Sequence, residues 1–342
     1  MANLNYERRL ANLKARRFDE ILLKADVSES FGRAVVSNTL EYLVEAMRPI
    51  GKKYNDVTLN AASNVQSHLE AGFNLPFTRA YRKQGSVMTN TNIKLYSDID
   101  LLTIIDSYVF LAPALLPPKS PYLGDTDLDI VQLRRQATSI MQLKYDEVDT
   151  SGNKSINIYN KNLRRKVDIV FSYWYDTPNY LSNNDEFYRG IHLYDFEKKQ
   201  KQLDYPFAHI HNVNQKSSST NDGSCKGIRL LKTLKVDAEK DIELSSFQLT
   251  TLVYEMDNVD LYYSRGNELK IAINMSKQMA KMITYPNYRR YIKSPNGMET
   301  PFFEDKCVGA LNLLKRDLDR LIEDCGGEVN NYLTNSALLR YS

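Results

Sequence analysis

Three aspartates in strand-like surroundings carry the most chemistry in this sequence. Asp98 and Asp100 flank Ile99 in Ser97-Asp98-Ile99-Asp100-Leu101-Leu102, and Asp168 sits in Lys166-Val167-Asp168-Ile169-Val170-Phe171. Successive side chains of an extended strand point to opposite faces. Asp98 and Asp100 therefore share one face, while Ile99 and Leu101 turn to the core. Alternate side chains lie about 6.5–7 Å apart, within reach of a common pair of hard cations. Aspartate is disfavoured in strands, costly when buried alone, and repelled by its own kind. A site for two metal ions is the simplest resolution.

Gln84-Gly85-Ser86 stands eleven residues ahead of Asp98. A glycine at a turn lets backbone N–H groups approach a phosphate, and a serine hydroxyl adds a donor. Singly, each feature has an ordinary reading: an Asp-x-Asp at a sheet edge, a Gly-Ser turn. Together, a phosphate cradle facing carboxylates that hold metal ions is what nucleotidyl transfer requires.

Several elements must position these groups. Residues 29–50 read as an amphipathic helix, with Val35, Leu40, Leu43, Val44 and Met47 near helical spacing, and a second helix covers about 56–71. Ser97 to Ile105 and Val167 to Tyr173 read as strands. The proline-rich stretch 113–124 is a loop, and Asp125 or Thr126 caps the helix that follows, with Ile130, Leu133, Ala137 and Ile140 on one face. Ser151-Gly152-Asn153 joins two strand-like runs, 145–149 and 155–159. After the polar stretch Asn214 to Ser224 the pattern is helical, at about 225–236, 245–256, 267–283 and 304–323, the last closed by Gly326-Gly327. The fold expected is α+β: a lobe over 1–215 whose mixed sheet packs against a helical lobe over 216–342, with the active site in the cleft between.

Composition narrows the choice further. In 342 residues, 45 Lys plus Arg against 42 Asp plus Glu leave a net charge of +3, too small to mark a nucleic-acid binder. Three cysteines (Cys225, Cys307, Cys325) without paired spacing argue against a disulfide framework and fit a reducing cytoplasm. Neither a signal-peptide core nor a membrane span is expected, since the most apolar stretch, Tyr108 to Leu116, is short and broken by Pro113, Pro117 and Pro118.

The same residues resemble the polymerase-β-type nucleotidyltransferases, whose pattern is Gly-Ser, a short helix, Asp-x-Asp and a later Asp. More closely, the chain resembles the bacterial cGAS/DncV-like nucleotidyltransferases (CD-NTases) of CBASS anti-phage systems. The ordered stretches that carry this likeness are Gln84-Gly85-Ser86, Thr91-Asn92-Ile93, Ser97 to Leu101, Val148 to Gly152, Asn162 to Val170, Tyr205-Pro206, Ile228 to Lys232 and Ser245-Ser246-Phe247. The resemblance implies that Asp98, Asp100 and Asp168 hold two magnesium ions, with manganese as a substitute. It implies that Gln84, Gly85, Ser86, Lys232 and Ser246 reach the donor triphosphate and that Phe247 stacks on the donor base. From the residues alone, Lys232 is a solvated lysine, Ser246 an N-cap and Phe247 a core residue. Arg164-Arg165-Lys166 could line an acceptor-nucleotide cleft. His209, His211 and Cys225 lack a complete zinc ligand set.

The function so implied is a cyclic oligonucleotide synthase that makes a cyclic di- or trinucleotide messenger from NTPs such as ATP and GTP. A ribose hydroxyl attacks an NTP α-phosphate and pyrophosphate leaves. The expected partners are the NTP substrates and, through the product, a downstream cyclic-nucleotide-sensing effector. A monomer is expected, without membrane attachment or duplex-DNA activation. The alternatives are a linear oligonucleotide synthase, a transferase acting on RNA or protein, and a non-catalytic nucleotide-binding regulatory module.

Overall fold

The computed structural model describes residues 4–17, 37–113, 115 and 122–338. Two compact units emerge. The sheet unit comprises Gly51–Asn90 and Tyr96–Asn212, and the helical unit comprises Met1–Ile50, Thr91–Leu95 and Val213–Ser342. The division expected at 215 differs in where it puts the N-terminal helices. Leu10 and Leu13 of helix Tyr6–Arg17, and Tyr42, Leu43 and Met47 of helix Asn38–Met47, bury their apolar faces with Leu230, Leu234, Met275 and Leu314. Polar ties reinforce that packing: Arg16 and the Tyr42 hydroxyl both donate to the Asp237 carboxylate, at 2.5 to 2.9 Å. Part of the helix expected over 29–50, residues 29–36, lies outside the described residues.

The sheet unit is built on seven strands: β1 (Arg79–Gln84), β2 (Ile99–Leu111), β3 (Glu147–Asp149), β4 (Ser155–Asn160), β5 (Arg165–Asp176), β6 (Gly190–Asp195) and β7 (Gln200–Asp204). Their order is β1-β2-β5-β4-β3, with β6 on β5 and β7 on β6. Only β2 and β5 run parallel; the other pairs are antiparallel. One face buries Ile99, Leu101, Val167, Ile169, Ile156 and Ile158 beneath helices Lys52–Gly72 and Thr126–Lys144. The second of those helices starts as expected, with Asp125 accepting from the Asp127 and Leu128 amides. On the opposite face Leu102, Ile104, Val170, Trp174 and Ile191 form a smaller apolar cluster.

Two local expectations are corrected. The polar stretch 214–224 is mostly helical, divided between Pro206–Ser219 and Gly223–Asp237. The last helix runs Cys307–Leu338, straight through Gly326-Gly327. A helical glycine costs only about 1 kcal/mol, which a long helix absorbs.

Candidate active site

The backbone sets the geometry of the carboxylates. On the parallel pair β2/β5, Asp100 is the direct partner of Asp168. Gln84 pairs with Asp100 on β1, Asn157 pairs with Asp168 on β4, and Asp149 pairs with Asn157 on β3. Directly opposed residues project to the same face. One polar row, Gln84, Asp100, Asp168, Asn157 and Asp149, therefore crosses five strands. Asp98, one residue before β2, lies on that same side, as does Lys166, two residues before Asp168. Tyr159 is directly opposite Lys166.

Within this row, Gln84 Nε2 donates to Asp100 Oδ2 at 3.0 Å. Burial pushes the Asp100 carboxyl up to about 6, with Asp168 and Asp98 adding to the rise against the Gln84 hydrogen bond. Burial also raises Asp168, opposed by Lys166 and helped by Asp98 and Asp149. The Lys166 ammonium is 3.3 Å from Asp168 Oδ1 and 3.9 Å from Asp98 Oδ2. Asp168 Oδ1 is buried and accepts no hydrogen bond. All-oxygen donors of this charge suit magnesium, and the Lys166 ammonium already lies against the cluster. Among the described residues, no three His, Cys, Asp or Glu side chains converge on a single ion position. Donor chemistry and backbone placement fit a divalent ion; side-chain rotation must complete the fit.

Gly85 follows β1 with φ +110°, a conformation that side chains rarely adopt. Consecutive turns carry the chain from there to Asn90, with Met88 N–H on the Gly85 carbonyl and Asn90 N–H on that of Val87. Ser86 sits half-exposed in the first of them. Turns stand where the family pattern has a short helix.

The helical unit carries the remaining expected residues. Lys232, on helix Gly223–Asp237, is 8% exposed and donates to the Thr91 carbonyl at 2.9 Å. It is not a solvated lysine. Burial, with Arg229 and Lys94 adding, pushes it down to about 8. Ser246 is not the N-cap either. Ser245 takes that role in a capping box with Gln248, which leaves Ser246 exposed in the first turn of helix Ser246–Tyr254. Phe247 is half-buried rather than a core residue.

Strand alternation splits the basic run Arg164-Arg165-Lys166. Arg164 sits at positive φ, and Arg165 is buried against the Thr58 hydroxyl and Tyr54 carbonyl. Only Lys166 joins the carboxylate face. Asn157, Asp149 and the Lys166 contact were missed in the sequence, because strand register alone aligns them with Asp168.

A mixed sheet with paired aspartates behind a glycine turn points to a nucleotidyltransferase of the polymerase-β-like class. No protein-family model matches the chain. The c-di-GMP synthase of Lachnospiraceae bacterium (strain RUG226) is 32% identical, over 95% of this chain and 99% of the relative. The cyclic dinucleotide synthase CdnE of Yersinia aleksiciae is 31% identical, over 84% and 77%. The solved structure of the STING-associated CdnE c-di-GMP synthase from Capnocytophaga granulosa superposes with TM-score 0.81 at 28% identity, covering 95% of this chain and 99% of that one. The chain belongs to the CD-NTases, the polymerase-β-like nucleotidyltransferases of CBASS that synthesise cyclic oligonucleotides.

Proposed function

We propose that the product is cyclic di-GMP, made from two molecules of GTP, with Asp98, Asp100 and Asp168 as the magnesium-binding carboxylates. The register of Asp100 against Asp168 carries this reading, because it sets two carboxylates side by side on one face with Asp98 adjacent. The choice of guanine rests on the relatives from Lachnospiraceae and Capnocytophaga, both c-di-GMP synthases. Magnesium, when bound, supplies charge neutralisation for the polyphosphate and acidifies a ribose hydroxyl. The protein's own groups do the rest. Gly85 and Ser86 offer main-chain and hydroxyl donors to the triphosphate, and Lys232 adds an ammonium. Phe247 offers a ring face to a base. Positioning and charge stabilisation of this kind account for most of phosphoryl-transfer catalysis.

Synthesis in the cytoplasm is part of this reading; none of the described helices is long and apolar enough to cross a membrane. So is a cyclic-nucleotide-sensing effector downstream, as the STING association of the Capnocytophaga protein suggests. The test is incubation of the purified protein with all four NTPs and magnesium, with products identified by mass spectrometry. Cyclic di-GMP, absent from an Asp98→Ala/Asp100→Ala variant, is expected. A different ring would overturn the guanine assignment, and a linear product or a labelled macromolecule would overturn cyclisation.

A further inference from the structure

We propose that Lys166 is the built-in counter-cation of the carboxylate site: its ammonium holds Asp98 and Asp168 in the metal-free protein and must leave before divalent ions can bind. This rests on the reading of Asp98, Asp100 and Asp168 as metal ligands. The nitrogen is 3.3 Å from Asp168 Oδ1 and 3.9 Å from Asp98 Oδ2, so one ammonium bridges carboxylates from two neighbouring chain segments. Asp168 Oδ1 is buried with no hydrogen bond, so the ion pair is its compensation.

Lys166 is also free to move. Its side chain is 38% exposed, and that of Asp98 is 57% exposed. Directly across β4 stands Tyr159, itself 38% exposed, whose ring can take up the displaced ammonium by a cation–π contact. Divalent ions therefore compete with a tethered cation. The competition is weakest when a nucleotide brings its own negative charge, so loading should favour metal and nucleotide together over metal alone.

The test is titration of the nucleotide-free protein with Mn²⁺, following free aqua-Mn²⁺ by electron paramagnetic resonance. The proteins compared are wild type, Lys166→Met, Lys166→Gln, Lys166→Arg and Asp100→Asn, each checked for folding by circular dichroism. Removing the charge with Met or Gln is expected to tighten Mn²⁺ binding about fivefold to tenfold, the scale of a half-exposed ion pair in a charged cluster. Lys166→Arg, which keeps the charge, should stay near wild type. Equal or weaker binding in both neutral variants, with wild-type binding still lost in Asp100→Asn, overturns the role of Lys166 and leaves the carboxylate site standing. Absence of saturable, Asp100-dependent binding in every protein overturns the metal site and this proposal with it.

Discussion

Asp100 and Asp168 stand directly opposite one another on the parallel strands β2 and β5, and each carboxyl is raised above its ordinary range by burial and by its acidic neighbours. The fold therefore holds charge that it does not favour in the absence of a cation. Such strain belongs to function rather than to stability.

Asp100→Asn should separate those two quantities. Activity, read as pyrophosphate release, should fall about a thousandfold or more as several kcal/mol of charge stabilisation disappears. Stability should move the other way. The folded pKa, about 6, is above the ordinary 3.8, so protonation stabilises the fold, and that stability is lost as pH rises through the window between them. At pH 7.5 the metal-free variant should melt a few degrees above wild type, at about 2–4 °C per kcal/mol. At pH 4 the gap should close, as scanning calorimetry at both pH values will show.

Lys232 supplies a second pH effect, of the same origin but opposite direction. Burial brings the ammonium down to about 8, so its charge is lost as pH rises through that value. Binding of a fluorescent GTP analogue should weaken between pH 7.5 and 9, and Lys232→Met should bind poorly at both with no slope. Apart from ligand, the lowered folded pKa means that Lys232 contributes stability gained as pH rises from about 8 toward 10.5.

Gly85 should resist replacement by any side chain. At φ +110° an alanine meets no atom closer than 3.8 Å, so the cost is conformational rather than steric. Gly85→Ala is expected to lose about 1–2 kcal/mol of stability, measured by urea unfolding. Turnover should fall further than in Ser86→Ala, because the turn that presents the amides is itself deformed.

Phe247 gives a way to separate packing from base contact. It is only half-buried, so Phe247→Ala should shift the melting temperature little. Loss of a stacking face worth about 1–3 kcal/mol should raise the KM for GTP about fivefold to a hundredfold. Phe247→Tyr, which keeps the ring, should remain within about twofold of wild type, a difference of only about 0.4 kcal/mol.

The two central strands were legible because their alternation is clean: Ile99 and Leu101 inward, Asp100 outward, and Val167 and Ile169 inward around Asp168. Asp125 announced its helix for the same local reason, a side chain that caps amides two and three residues on. β6 and β7 were not read. Gly190-Ile191-His192-Leu193 alternates weakly, and Gln200-Lys201-Gln202 is polar on both faces, so β6 forms because β5 offers it an edge, and β7 because β6 does. The polar row shows the limit of local reading. Asn157 and Asp149 are ordinary hairpin residues until pairing sets them beside Asp168, and pairing joins residues distant in sequence. From its helix alone Lys232 is a solvated lysine, because periodicity records only which side a residue occupies; the carbonyl it meets belongs to Thr91, distant in sequence.

The parallel pairing of β2 with β5 also bears on how this chain can change over evolutionary time. An insertion or deletion inside either strand would turn Asp100 or Asp168 to the opposite face of the sheet, since one residue of slip reverses every side chain. Between those strands, helix Thr126–Lys144 covers the buried face of the sheet and β3 and β4 continue the polar row, so these elements are held in register too, whereas the turns that join them only have to return each to its place. Descendants can therefore lengthen, shorten or redecorate those joining turns, acquiring new recognition surfaces while the aspartate pair stays in place.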